Sequence, residues 1–258
     1  MKDYKLDSKY RYFSRSITKG TQEKYKKGDY FYKINKAGNE GFTEYLVTRL
    51  LKHSTLPDYC FVDYEYCKIN CKLGCRSKNF LQSSNEEFVS MNFLYEKLSG
   101  TDNLSDYLSY LRNANDRLNF ILSIVEKYGV DKSIYSSYLK ALMQLDMLIL
   151  NTDRHTHNYG LIYNKAINRF RVPPIFDNGL SLNTNRVNSA ISCTLSGSFE
   201  EQVIAFGYPI ETCFKIGYKS LLRDLNRIER YYGNHYEIDV LRNNLNKYKS
   251  LFELSTGC

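Results

Sequence analysis

Along the first third of the chain, apolar and polar positions alternate in short runs between polar turns. Beyond that, apolar residues recur at three- and four-residue steps. This change of period predicts strands first and helices afterwards. In SRSITKGTQEKYKKGDYFYKIN, Gly20 and Gly28 bracket polar residues, and an alternating aromatic run follows from Tyr30 to Ile34. That pattern predicts a hairpin and a strand. GFTEYLVTRLLKHS carries Tyr45, Leu46, Leu50 and Leu51 at helical spacing, and DYCFVDYEYCKINCK returns to strand character. Further on, Ser84 followed by Glu87 forms a capping-box pattern. It predicts a helix over SSNEEFVSMNFLYEKLSG that ends at Gly100. NDRLNFILSIVEKYG predicts a helix ending near Gly129. Asp131 then caps a long helix whose buried stripe is Ile134, Tyr138, Leu142, Leu145 and Ile149. Residues 197–258 read as mostly helical. The expected plan is α+β, with a strand-rich lobe over 1–85 and a larger helical lobe over 86–258.

Composition narrows the class. The 258 residues are 43% hydrophobic and 25% charged, which is ordinary for a globular chain. With 24 Tyr, 14 Phe and no Trp, many buried rings need hydroxyl partners, which suits a mixed core of helix and sheet. No apolar run reaches the roughly 18 residues of a membrane helix. The start, MKDYKLDSKYRYF, lacks the apolar stretch of a secretion signal. Seven cysteines, an odd number, point to a reducing, cytoplasmic setting rather than a disulfide framework. Cys67, Cys71 and Cys75 are separated by three-residue gaps, whereas zinc sites favour two, so ordinary thiols are expected.

Charge is unevenly spread. The net charge is +8, and residues 1–52, with 13 Lys/Arg against 6 Asp/Glu, hold +7 of it. Such a segment could face ATP phosphates, a nucleic acid or an acidic partner, and a solvated face explains the charge equally well. The C-terminal stretch RYYGNHYEIDVLRNNLNKYKS reads as lobe packing, so no direct nucleic-acid binding is expected.

The strongest chemical signal follows the long helix, in Asp153-Arg154-His155-Thr156-His157-Asn158. Phosphoryl transfer needs a carboxylate to accept the proton of the attacking hydroxyl, with an oxygen ligand for magnesium nearby. Asp153 and Asn158 are five positions apart, the offset between catalytic Asp and metal-binding Asn in the protein-kinase catalytic loop. About twenty residues on, Pro173-Pro174-Ile-Phe-Asp177-Asn178-Gly179 places a second carboxylate after a strand-like run. Gly179 is expected to let the chain turn away there. In the basic segment, Lys33 sits inside the apolar strand YFYKI. A buried lysine needs a partner, and Glu44 on the following helix supplies one. Lys36 is the alternative lysine. Gly20-Thr21-Gln22-Glu23-Lys24 could cover phosphates with its backbone amides.

Taken together, DRHTHN, PPIFD, GTQEK and GCRSKNFL (residues 74–81) resemble the HipA family of bacterial kinases, in its compact form. The resemblance runs from about residue 14 to about 206. It implies a bilobal protein-kinase-like fold and a serine/threonine protein kinase using ATP and Mg2+. Asp153 would be the catalytic base, and Asn158 and Asp177 the metal ligands. Lys33 paired with Glu44, and Gly20 to Lys24, would hold ATP. His155 and Arg154 would support the catalytic loop. Family members autophosphorylate a serine ahead of the glycine loop. The position three before Gly20 is Ile17, and Ser14, Ser16 and Thr18 are the nearby candidates. The longer family members carry an extra N-terminal subdomain for which this chain has no room. A protein substrate is implied, and a DNA-binding antitoxin is a candidate partner. The catalytic loop does not encode the acceptor, so a small-molecule or lipid phosphotransferase stays open, as does a non-catalytic binding module.

Overall fold

The computed structural model describes residues 1–12, 22–36, 38–101, 103–183 and 212–254. Ser14, Ser16, Thr18, Gly20 and Thr21 therefore lie outside the described residues.

Five strands form the first sheet: β1 (Asp3–Tyr4), β2 (Lys24–Lys27), β3 (Tyr30–Ile34), β4 (Tyr64–Ile69) and β5 (Lys72–Lys78), in spatial order β1-β4-β5-β3-β2. β1 runs parallel to β4, and the other pairs are antiparallel. The β4–β5 turn is two residues long, with Asn70 and Cys71 both at positive φ (50° and 68°). Those angles match the right-handed strand twist of a tight hairpin. Between β3 and β4 runs helix α1 (Glu40–Lys52), whose Phe42, Leu46, Leu50 and Leu51 are buried. It packs across β4 and β5.

The period-2 register sorts the sheet into two faces. Tyr32, Ile34, Cys67 and Ile69 join Leu6 and Tyr25 in a cluster on one side. Lys24, Lys33, Cys75 and Tyr66 fall in one cross-strand row on the other. This separates the three cysteines. Cys67 belongs to one face, Cys75 lies buried with Val62 and Tyr64 on the other, and Cys71 sits exposed in the turn. Burial drives the Cys67 thiol up to about 12, the opposite of what a metal thiolate requires.

A second sheet, β6 (Glu86–Ser90), β7 (Gly160–Asn164) and β8 (Arg169–Arg171), is antiparallel throughout. β6 corrects the capping-box reading. Glu86 to Ser90 are strand, and Ser90 caps α2 (Met91–Ser99) by accepting from the Phe93 N–H. The partner that makes this stretch a strand, β7, lies some seventy residues downstream, out of reach of any local pattern. Gly100 does end α2, at φ 71°.

The helical part continues with α3 (Leu104–Tyr110), α4 (Ala114–Lys127) and α5 (Lys132–Ile149). After the undescribed stretch come α6 (Tyr218–Tyr232), α7 (Tyr236–Lys247) and α8 (Lys249–Phe252). Asp131 caps α5 as expected, accepting from Ser133 and Ile134 N–H. The buried stripe of α5 is displaced from the expected one at its start. Ile134 is 60% exposed, while Tyr135 and Leu139 are buried ahead of Leu142, Leu145 and Ile149. One continuous core links α1 to α5, α6 and α7. Phe42 of α1 meets Tyr66, Tyr232 and His235 at ring distances of 5.2, 5.9 and 4.1 Å. The sheet's main helix is thus gripped by the C-terminal helices. Among the described residues, no helix is long and apolar enough to cross a membrane.

Candidate active site

β3 turns Lys33 inward, and the chain brings two carboxylates to it. Its Nζ lies 2.8 Å from Asp177 Oδ1 and 3.3 Å from Glu44 Oε1. Glu44 comes from the second turn of α1. Its other oxygen accepts the Asn178 N–H at 3.0 Å, so helix, strand and the Asp177 segment are tied at one point. Burial disfavours the Lys33 ammonium, but Asp177, Tyr64 and Glu44 outweigh it and hold the group well above the usual lysine range. Burial would also raise Asp177, yet the charge and hydrogen bond of Lys33 hold that carboxyl below its usual range. For Glu44 burial prevails over Lys33, and the carboxyl is pushed up.

Asp177 takes a left-handed conformation, φ 61°, which costs energy in a non-glycine residue. This revises the role expected for Gly179. The turn strain sits on Asp177. Gly179 is small because a Cβ there would stand 3.3 Å from the Glu40 backbone oxygen and side chain. Gly74 lets β5 lie close against β3, since a Cβ on it would lie 2.2 Å from the Lys33 carbonyl.

Lys24 faces Lys33 across β2 and β3. Burial and then the neighbouring Lys33 charge lower its affinity for a proton. Two lysines opposed on adjacent strands repel one another, an arrangement that an anion in front of them would relieve. Both line a cleft of about 760 Å³, with Asp177 at the same end. Val62, Phe80, Phe88 and Phe176 give the cleft an aromatic and aliphatic wall, and Lys78, Glu86 and Glu87 add charged groups to its lining. Phe80 stacks on Phe176 at 5.3 Å, and Phe88 meets Phe176 edge-on at 5.1 Å. A polar end with two lysines and an aromatic end suit a phosphorylated ligand with a flat ring. Glu23 is turned elsewhere. It accepts from Arg11 at 2.7 Å and from Tyr25 OH at 2.6 Å and is not part of the cleft wall. Gln22 is described but does not line the cleft either. Lys36 is not in the cleft, and its backbone N–H donates to Glu40.

The Asp153 loop is held by a buried scaffold. Helix α5 ends at Leu150 in the left-handed conformation, its N–H bonded to Asp146 O. Arg154, only 3% exposed, donates to both oxygens of Asp146 (3.0 and 3.1 Å) and to Asn178 Oδ1 (2.7 Å). It also donates to the Phe176 carbonyl at 2.8 Å. Asn151 donates to Asp146 Oδ1 at 2.9 Å and accepts the Asp153 N–H at 3.1 Å. Arg154 therefore binds the Asp153 loop to the Asp177 segment. His155 plays a smaller part, its Nδ1 receiving the His157 N–H at 3.2 Å. Asn158 is buried, and its Nδ2 donates to the Asp153 carbonyl at 3.0 Å. The sequence reading assigned no role in the site to Asp146, Asn151 or Asn178. The one available signal was a lone acid in the apolar run ALMQLDMLIL, which a buried helix tolerates only with a partner.

A strand lysine, a helix glutamate and Asp177 meet at one end of the cleft, whereas Asp153 and Asn158 are not among the residues that line it. The fold is a kinase-like one, shared with two solved structures. The chain is similar to the Helicobacter pylori proinflammatory kinase CtkA, with TM-score 0.56 and 17% identity over 90% of each chain. It is also similar to HipA of Shewanella oneidensis MR-1, solved with HipB and operator DNA, with TM-score 0.52 and 17% identity. That match spans 93% of this chain and 66% of HipA. No protein-family model and no curated protein matches the sequence.

Proposed function

We propose that this protein transfers the γ-phosphoryl group of ATP, with Mg2+, to serine or threonine of a protein. The observation that carries this reading is Lys33, enclosed between Glu44 and Asp177 at the polar end of the cleft and backed by Lys24. Lys33 would hold the phosphates and Glu44 would fix it in place, with the purine among the phenylalanines. Asp177 and Asn158 offer hard oxygen donors that suit Mg2+, which when bound neutralises charge on the β- and γ-phosphates. Asp153 would orient the acceptor hydroxyl and take its proton. In this reading residues 1–85 form the lobe over the phosphates and residues 86–258 the lobe that supplies the catalytic loop. Gly20, Thr21 and Gln22 would close over the nucleotide, and Ser14, Ser16 and Thr18 are the candidate autophosphorylation sites. The Shewanella HipA was solved with HipB and DNA, which makes a DNA-binding partner protein the natural one to seek here.

Intact-mass spectrometry of wild type beside Asp153→Ala, incubated with ATP and Mg2+, tests the proposal. A gain of one phosphate in wild type alone is expected, with peptide mapping to choose among the three candidate sites. If a cell extract supplied with labelled ATP passes label only to small molecules, a protein acceptor is ruled out.

A further inference from the structure

A second, smaller pocket of about 200 Å³ lies behind the Lys33 centre. Its walls are the start of α1 (Asn39, Glu40, Thr43), the segment after Asp177 (Gly179 to Asn183) and the start of α7 (Tyr236, Glu237). Among the described residues, two of its polar atoms are enclosed with no hydrogen-bond partner: Ser181 Oγ and Glu237 Oε2. Ser181 is 3% exposed. The other oxygen of Glu237 accepts Asn39 Nδ2 at 3.1 Å, which fixes the carboxylate with Oε2 unsatisfied. Three backbone donors at the start of α1 are already used. Gly41 N–H goes to Asn35 Oδ1, Thr43 N–H to Asn39 O, and Gly38 N–H to Glu40 Oε2. The pocket thus presents acceptors and two carboxylates to whatever enters it. An enclosed carboxylate oxygen without a donor is costly, and a cationic donor satisfies it best.

We propose that this pocket binds a small organic cation bearing N–H donors, of the ammonium or guanidinium class, through Glu237 and Ser181. The volume exceeds the roughly 30 Å³ share of one water several-fold and is too small for a nucleotide. Its position gives such a ligand leverage on the site in front, because Gly179 packs on Glu40 and Asn178 donates to Glu44. An occupant bridging α1, α7 and the Asp177 segment favours the arrangement in which Glu44 and Asp177 flank Lys33. By linkage it then tightens ATP binding, and ATP tightens the cation's binding by the same factor. That coupling rests on the proposed nucleotide site; the binding itself does not.

Methylguanidinium, at low millimolar concentration with the whole 258-residue chain, is the probe, with tetramethylammonium and KCl at equal ionic strength as controls. Thermal shift and calorimetry are the readouts. The proposal predicts a saturable response to methylguanidinium alone, with affinity reduced by about tenfold or more in both Glu237→Gln and Ser181→Ala. Ser181→Ala should leave the unliganded melting temperature unchanged or higher, since it removes an unsatisfied hydroxyl. No saturable response in wild type, an equal response to KCl, or undiminished binding in Glu237→Gln overturns it. Methylguanidinium binding without any ATP response would sink the nucleotide reading and leave the pocket standing.

Discussion

Two buried ionic centres lie on either side of the segment around Asp177, and they are built to different rules. At Arg154 one guanidinium meets one carboxylate. Both are enclosed, with side-chain exposures of 3% and 0%, and the remaining donors go to Asn178 and the Phe176 carbonyl. At Lys33 one ammonium meets two carboxylates, and the centre is open on the cleft side, with Lys33 16% and Asp177 31% exposed. A closed, internally satisfied pair fixes geometry and has nothing left for a ligand. An open centre with a strained aspartate and a second lysine beside it is incomplete without one. The contrast separates scaffold from site, although both consist of the same kinds of residue.

Substitutions should divide along that line. The largest effect is expected from Asp153→Ala. The rate of phosphoryl transfer should fall by about 10²–10⁴-fold while the melting temperature holds, as single-turnover assays beside calorimetry would show. Next comes Arg154→Met, which strands Asp146 inside the core. A cost of about 3–5 kcal/mol is expected, a drop on the order of 10 °C in melting temperature. If that variant melts like wild type, Arg154 is no scaffold. Gly74→Ala forces β5 away from the Lys33 carbonyl and should cost about 1–3 kcal/mol. It should also weaken ATP binding, because the lysine moves with its strand.

The smallest effect is a pH dependence outside both centres. Glu86 accepts two bonds from Arg171, at 3.0 and 2.7 Å, and one from the Gln82 N–H. Arg171 foremost, against burial, holds its carboxyl below the usual range. A depressed carboxyl stabilises the fold above its ordinary pKa of about 4.3 and loses that contribution as pH falls through the depressed value. The stability gap between wild type and Glu86→Gln should therefore be full at neutral pH and close in acid. A gap independent of pH would contradict the pairing.

Much of this was legible in the chain. Lys33 was marked by its charge inside an apolar strand, and Glu44 by the helix that follows. Asp153 and Asn158 stood out by their spacing between a helix and a strand. What escaped was non-local. β6 was read as helix because Ser84 and Glu87 mimic a cap, while its true partner, β7, is far along the chain. Glu23 sits in a lysine-rich stretch, but the pleat turns it away towards Arg11. Asn178 was only a neighbour of Asp177 in the sequence, and its bonds to Arg154 and Glu44 arise only once α1 and α5 are packed together.

The claim that the Lys33 centre is a nucleotide site is tested most directly by calorimetric titration of ATP into wild type and Asp177→Asn, each with and without Mg2+. The account predicts that Mg2+ strengthens ATP binding to wild type and that this enhancement disappears in Asp177→Asn. Wild type that binds no ATP, or an Asp177→Asn variant with the same Mg2+ enhancement, would contradict it.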